Sequence, residues 1–96
     1  MSGERQLAVE IFTPSGQNES FSCDSLHLTL SGDANGRSGG DTGIHPGHYP
    51  ALMALSPGPV TGLVNGEQVF RRLLGSGLAE VDRFKVTILA DSSTKE

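Results

Sequence analysis

The sequence predicts an all-β fold, a small sandwich or flattened barrel of about eight to ten short, mostly antiparallel strands. Three observations predict it. The 96 residues include 13 glycines, and glycine destabilises the interior of a helix. Several short segments alternate apolar and polar residues with a period of two, which is typical of strands. Turn residues separate these segments at close spacing, as they do in sandwiches and barrels.

The first third of the chain contains three strand candidates. Residues 6–13 alternate strictly, so that Leu7, Val9 and Ile11 share one face. A turn and a polar break follow. The other two candidates are residues 21–23, which are short, and residues 25–31, whose leucines all point to one side.

The centre of the chain joins a polar loop to a stiff corner. Residues 31–42 carry no bulky apolar side chain, which predicts a soft loop. Residues 43–50 contain two prolines, two glycines and two histidines, which predicts a bent connection rather than a helix or a regular strand. Residues 51–55 are apolar throughout and predict one helical turn or a strand buried on both faces. A flexible loop beside a rigid corner is a common way to present a binding edge.

Two hairpins are predicted in the second half. Residues 60–64 and 67–74 flank Asn65-Gly66, a pair that favours a type I′ turn because both central residues need a positive φ. The second hairpin joins residues 78–81 to residues 85–89 through Asp82-Arg83.

Composition excludes several classes of protein. The net charge is −4 and the seven basic residues are scattered, apart from Arg71-Arg72, so a nucleic-acid partner is not expected. No apolar run approaches the roughly 20 residues that span a bilayer, and no signal-peptide core follows the N-terminus. A single cysteine cannot form an internal disulfide, which favours a reducing compartment.

The whole chain, residues 1–96, is predicted to be one domain. Residues 1–5 and 92–96 are polar and are expected to fray.

The histidines are the first candidates for chemistry. His45 and His48 lie in the stiff corner, and His27 and Cys23 lie elsewhere in the chain. Zinc needs three or four converging ligands, so this spacing is a weak metal signal. The alternative is that the imidazoles donate to backbone carbonyls and hold the corner in shape.

The acidic residues of the loop allow two interpretations. Asp33 and Asp41 are solvated turn residues, or they offer an exposed anion to a basic partner. A small hydrolytic enzyme that uses His48 with Asp41 or Cys23 is a further alternative. A glycine- and serine-rich loop does not supply the partly dry cleft that a catalytic carboxylate needs, so the residues by themselves indicate a non-catalytic binding module.

Five stretches in order resemble the N-terminal β-sandwich of the epsilon subunit of F-type ATP synthases. The corner Gly43-Ile44-His45-Pro46-Gly47-His48-Tyr49-Pro50 is similar to that family's Gly-Ile/Val-x-Pro-Gly-His-x-Pro motif. Residues 85–91 are nearly its closing strand. The remaining similar stretches are residues 7–14, 54–58 and 75–81. The resemblance covers the whole chain.

The resemblance implies a non-catalytic rotor subunit in the central stalk, without a cofactor or metal. Such a subunit links the gamma subunit to the membrane c-ring in proton- or sodium-coupled ATP synthesis and hydrolysis. It implies a monomer when isolated, and a peripheral position on the cytoplasmic face of the bacterial inner membrane, with membrane contact only through the complex. The family's C-terminal helical hairpin is not expected after residue 96, nor is its inhibitory arm. The alternative is a free-standing β-sandwich adaptor or ligand-binding module.

The resemblance also assigns contact residues. Carried over by position, the c-ring contact consists of Asp41, Thr42, Gly43 and Ile44. The gamma-subunit contact consists of Thr13, His48 and Met53. The family's ring loops carry arginine, so Asp41 would offer its carboxylate to such a group.

Overall fold

A computed structural model describes residues 6–16, 18–30 and 40–95. Within these ranges the chain forms strands and turns and no helix, which confirms the all-β prediction. The ten strands are β1 (Leu7–Phe12), β2 (Asn18–Cys23), β3 (Ser25–Leu30), β4 (Gly40–Ile44), β5 (Ala51–Leu55), β6 (Gly58–Val64), β7 (Glu67–Leu74), β8 (Gly77–Asp82), β9 (Lys85–Ala90) and β10 (Ser93–Lys95).

The strands form two layers. Neighbours run in the order β10-β7-β6-β3-β5-β8-β9-β1-β2, and β4 also pairs with β3. The path passes from one layer to the other where Leu30 of β3 pairs with Leu55 of β5. The first layer therefore contains β10, β7, β6, β3 and β4, and the second contains β5, β8, β9, β1 and β2. Of the pairings described, β1 with β9 is parallel and the others are antiparallel.

The core fills the space between the two inner faces. The alternation predicted for the opening strand is confirmed, because Leu7, Val9 and Ile11 are at most 1% exposed. The rest of the core alternates in the same way along each strand and consists of Cys23, Leu26, Leu28, Ile44, Leu55, Val60, Phe70, Leu74, Ala79, Val81, Val86, Ile88 and Ala90. Successive side chains of a strand point to opposite faces of its sheet. The side chains that do not enter the core therefore lie on the outer faces of the two layers.

Both predicted hairpins are present. Asn65 and Gly66 have φ values of 53° and 83°, as a type I′ turn requires. The register between β6 and β7 shifts after Gly62, so that Val69 is an extra residue on β7. Strands β8 and β9 pair from Asp82 with Lys85 onward, so the turn is Arg83-Phe84 and not the predicted Asp82-Arg83, because Asp82 is the last residue of β8.

Three segments predicted as irregular are strands. Residues 18–20 belong to β2, residues 40–44 form β4, and the expected frayed end contains β10, which pairs with the end of β7. In each case a neighbouring strand supplies backbone hydrogen bonds, and these outweigh the weak strand propensity of the polar side chains. Residues 31–39, most of the predicted loop, lie outside the described residues.

Strand β5 differs from its prediction in another way. It is a strand, but it is not buried on both faces, because Leu52 is 70% exposed while Leu55 is 4% exposed. Ala54 is exposed as well. Its apolar outward residues therefore belong to the surface.

Side chains join the two layers at the margin away from β3 and β5. Phe21 of β2 stacks on Phe70 of β7 with ring centroids 4.0 Å apart. Arg72 lies over the Phe21 ring at 4.8 Å, and its Nη2 lies 3.1 Å from a carboxylate oxygen of Glu19. Gly62 lies beneath the Phe70 ring, where a Cβ would overlap it. We call these five residues the interlayer clasp.

Candidate functional site

Asp41 is held at the start of β4 by the pairing of that strand with β3. It lies opposite Thr29, whose hydroxyl donates a hydrogen bond of 3.2 Å to the Asp41 carboxylate. Asp41 and Gly43 are exposed, and Thr42, which lies between them, is half-buried. The carboxylate is thus oriented by one neutral donor and open to solvent, which suits a contact with a cation from outside.

Ile44 lies in a different environment from the other predicted ring-contact residues. Its side chain is 0% exposed and is part of the core. The period of two in β4 turns it inward next to the exposed Gly43. Any contact at this position has to involve the backbone, because the side chain is not at the surface.

The outer face of the first layer carries a group of polar side chains beside exposed apolar residues such as Leu73. Arg71, Thr61 and His27 lie side by side on β7, β6 and β3. A shallow depression on this face is lined by these three residues together with Asp41 and Gln68, among others. Asp41 therefore belongs to a broader polar surface and is not an isolated charge on a loop.

The outer face of the second layer carries an apolar row. Phe12, Leu89, Leu78 and Ala54 are register partners on four adjacent strands, β1, β9, β8 and β5. Leu89 is 54% exposed and Leu78 is 45% exposed, and Leu52 lies one outward position further along β5. We call Phe12, Leu89, Leu78 and Ala54 the apolar row.

Sequence reasoning did not identify the apolar row. The alternation predicts one inward apolar face for most strands, and residues 51–55 are predicted to be a helical turn or a strand buried on both faces, so Leu52 and Ala54 are not expected at the surface. The signal was present in outward leucines such as Leu78 and Leu89, but they become a surface only when the strand register is known.

Thr13, the first residue assigned to the gamma contact, lies beside the apolar row. It follows Phe12 directly and lines a depression with Phe12, Pro14 and Leu89. Its hydroxyl oxygen lies 2.9 Å from the Ser15 hydroxyl, and its carbonyl accepts a hydrogen bond from a turn amide. Thr13 is half-buried at the end of β1.

His48 lies in the corner between β4 and β5. The amide of Gly47 donates a 2.6 Å hydrogen bond to the carbonyl of Arg83, which ties the corner to the turn between β8 and β9. The His48 Nδ1 lies 2.7 Å from the Tyr49 carbonyl oxygen, and the two rings stack at 4.7 Å. These contacts agree with the interpretation that this imidazole holds the corner.

Met53, the third of these residues, is half-buried in the middle of β5 and packs against the core. The structure does not bring the three into one cluster. The amide of Ala8 bonds to the turn near His48, whereas Thr13 lies five residues further along β1, about 17 Å away at 3.3 Å per residue. They could belong to one contact only if it extended along the second layer.

The geometry gives little support to a metal site or to a hydrolytic enzyme. Over residues 6–16, 18–30 and 40–95, no three His, Cys, Asp or Glu side chains are grouped as metal ligands. The His45 Nε2 lies 3.4 Å from the Ser25 hydroxyl. Cys23 is buried, and burial raises the pKa of its thiol, which disfavours the nucleophilic thiolate. Asp33 lies outside the described residues.

In the described part of the chain, no helix is long and apolar enough to cross a membrane.

The fold and its surfaces define a class: a small two-layer β-sandwich with an apolar row on the outer face of its second layer. The comparison with known families is more specific. Residues 6–96 match the family described as "ATP synthase, Delta/Epsilon chain, beta-sandwich domain". The chain belongs to this family, which confirms the expected identity as an epsilon-type β-sandwich domain.

Curated relatives agree with the family assignment. The chain is 35% identical over 94 residues to the ATP synthase epsilon chain of Nitratidesulfovibrio vulgaris (strain DP4), covering 96% of this chain and 63% of that one. It is 41% identical over 59 residues to the epsilon chain of Acinetobacter baumannii, covering 60% of this chain and 42% of that one. The chain thus spans less than two thirds of the length of these relatives.

Solved structures share the fold. A chain in the Euglena gracilis mitochondrial ATP synthase, a structure of OSCP, F1 and c-ring, superposes with a TM-score of 0.74 at 15% identity, covering 99% of this chain and 57% of that one. A chain in the central stalk and c-ring of the Tetrahymena thermophila mitochondrial enzyme gives 0.67 at 14% identity, covering 98% and 69%. At these identities the likeness concerns the fold alone.

Proposed function

We propose that this protein is the central-stalk epsilon subunit of a rotary ATP synthase and links the gamma subunit to the c-ring. It performs no chemistry of its own and works on the cytoplasmic face of a bacterial inner membrane. The observation that carries this proposal is the family match over residues 6–96, which spans both layers of the sandwich. A domain with an exposed carboxylate on one layer and an apolar row on the other suits a subunit that joins two unlike partners.

The proposed ring contact is the exposed start of β4. Asp41 offers a carboxylate that one hydroxyl orients, and Gly43 leaves the surface beside it open to a partner backbone. Thr42 would lie within the same contact, and Ile44 would contribute only its backbone. A basic side chain from a ring loop would form a charge-assisted pair with Asp41, which contributes more when partly desolvated than on a free surface.

The proposed gamma contact extends along the second layer. Thr13 lies at one end beside the apolar row, and His48 lies at the other end in the corner. Met53, between them, would act mainly by packing beneath the exposed Leu52 and Ala54.

Asp41→Arg tests the ring contact. The variant should fold normally, because the carboxylate is exposed and makes one neutral hydrogen bond. In the assembled synthase, the ions pumped per ATP hydrolysed should fall, since the new charge repels a basic ring loop. A charge-assisted hydrogen bond contributes about 1.5–3 kcal/mol, which corresponds to roughly tenfold or more in the contact equilibrium.

Glu67→Arg is the matched control, because Glu67 is an exposed acidic residue at the β6–β7 turn, away from β4. Proton pumping by inverted vesicles is compared with ATPase activity for both variants. Equal coupling in Asp41→Arg, Glu67→Arg and wild type would show that Asp41 is only a solvated residue. Failure of the wild-type protein to co-purify with a gamma subunit and c-ring would overturn the stalk assignment and favour a free-standing adaptor.

A further inference from the structure

We propose that the free edge of β2 takes up an extended acidic segment of a partner protein, which adds to the sandwich as a further strand and turns a carboxylate toward Lys95. This margin of the sandwich belongs to neither of the two contacts proposed above. Binding at β2 is therefore independent of the stalk assignment.

Strand β2 has one edge without a neighbouring strand. It stands at one end of the strand order, where it pairs with β1, and in the described part of the chain no strand pairs with its other side. In an antiparallel pair, residues that bond to the neighbour alternate with residues that do not. The backbone groups of every second residue of β2 therefore point to this edge, where they form a template for another strand.

Strand β2 lacks the features that usually block an edge. Proteins protect edge strands with proline, lysine, bulges or very short length. The sequence of β2, Asn-Glu-Ser-Phe-Ser-Cys, contains neither proline nor lysine, and its six residues pair with β1 without a bulge. Strand β10, at the other end of the order, has three residues and one lysine. An added strand is therefore expected at β2 and not at β10.

A cleft of about 480 Å³ opens beside this edge, between β2 and β10. It is lined by Asn18, Glu19, Ser93 and Lys95. The Ser93 hydroxyl oxygen is buried and has no hydrogen-bond partner among the described residues. Because buried hydroxyls usually have a partner, this one can bond to a polar group of a segment that enters the cleft.

The cleft carries a positive charge that an acidic segment would complement. The Glu19 carboxylate is already bound by Arg72, whose Nη2 lies 3.1 Å away. Lys95 is exposed, and within the described residues no carboxylate forms an ion pair with it. A carboxylate on the inward side of an added strand would form a charge-assisted pair with this ammonium. Pairing of β2 with β2 of a second copy would not supply one, because its acidic residue is Glu19.

The test uses synthetic peptides of about eight residues, long enough to cover the six residues of β2. The first alternates threonine and valine around a central aspartate, and in the second a lysine replaces the aspartate. Two further versions of the first carry N-methyl groups on alternate amides, so that each blocks one edge of the peptide strand.

Binding to the whole 96-residue protein is measured by fluorescence anisotropy, with Lys95→Glu as the variant. Arg83→Glu is the matched control, because Arg83 is an exposed basic residue in the turn after β8. That turn accepts a hydrogen bond from Ala8, which pairs with Ser22 at the opposite end of β2 from the cleft. Amide hydrogen exchange, followed by NMR, then reports which residues of β2 the peptide covers.

The aspartate peptide should bind, and its Kd should rise roughly tenfold or more when the peptide carries lysine or the protein carries Lys95→Glu. Arg83→Glu should leave the Kd unchanged. Methylation of one set of amides should abolish binding, and methylation of the other set should weaken it less. With the peptide bound, every second amide of β2 should exchange more slowly, because those amides point to the free edge.

Binding without slower exchange in β2 would refute the added strand, and equal binding of the lysine peptide would refute the charge complementarity. A dimer in analytical ultracentrifugation, with the same amides of β2 protected in the absence of peptide, would make the occupant a second copy and overturn the proposal. No binding of any peptide, with gamma and c-ring still co-purifying, would overturn this inference and leave the stalk assignment standing.

Discussion

Glu19→Gln should destabilise the domain more than its position on an outer strand suggests. Glu19 accepts hydrogen bonds from Arg72, with Nε 3.2 Å from each carboxylate oxygen and Nη2 3.1 Å from one of them. The Arg72 side chain is 13% exposed and that of Glu19 is 31% exposed. The substitution keeps the shape of the side chain but leaves a largely buried guanidinium without its counter-charge.

The burial of the pair sets the size of the effect. Exposed ion pairs contribute about 0–1 kcal/mol, whereas breaking a fully buried pair costs about 3–5 kcal/mol. Because Glu19 keeps part of its solvent contact and glutamine still accepts one hydrogen bond, we expect a loss of about 2 kcal/mol. For a domain of this size, that loss lowers the Tm by roughly 8–16 °C.

Thermal and urea unfolding followed by circular dichroism measure this loss. The control is Glu10→Gln, which removes an ion pair of 3.3 Å with Lys85. The side chains of Glu10 and Lys85 are 35% and 55% exposed. That variant should lose less than about 1 kcal/mol. If Glu19→Gln costs no more than Glu10→Gln, the clasp is an ordinary surface contact and the argument for it is wrong.

Two further variants test the core. Gly62→Ala should lower the free energy of unfolding by about 1–3 kcal/mol, because the added Cβ overlaps the Phe70 ring. The control is Gly43→Ala, where the added Cβ meets only ordinary contact distances. In the same urea titration, this control should change the free energy of unfolding much less. Burial raises the pKa of Cys23 above its ordinary 9.0, so the unfolded thiol ionises first. The contribution of the Cys23 thiol to the free energy of unfolding is therefore largest below about pH 9.0, and it decreases as the pH rises through the pKa of the folded state. Cys23→Ala should have a flatter stability profile above pH 9 than the wild type, and identical slopes would refute the assignment.

The parts of the fold that the sequence predicted are those in which local signals agree. In β1 the alternation of Leu7, Val9 and Ile11 matches their burial, and Asn65-Gly66 adopts the positive φ values that its hairpin needs. Strand β10 and the first half of β2 escaped prediction because their side chains are polar and their stability comes from strands distant in sequence. Strand propensity carries little information where pairing with neighbouring strands determines the secondary structure.

The candidate surfaces were predictable to a smaller extent. The position of Asp41 beside an exposed edge of the sandwich could be anticipated from its motif, but its neighbours Thr29 and His27 could not. The apolar row needs four strands in the correct register, and a shift of one residue would bury it. The burial of Ile44 follows from the same period of two, once β4 is known to be a strand.

The interlayer clasp and the two outer faces are mechanically connected. At one margin of the sandwich the layers are continuous through the pairing of β3 with β5. At the opposite margin the described contacts between β2 and β7 involve side chains, through Phe21 on Phe70 and Arg72 on Glu19. A load applied between the two outer faces would shear the layers, and between β2 and β7 the described contacts that resist this shear are the side-chain contacts of the clasp. In the proposed stalk subunit, the stiffness between the two partners therefore depends on the clasp, so a clasp variant should weaken transmission of torque before it changes either contact surface.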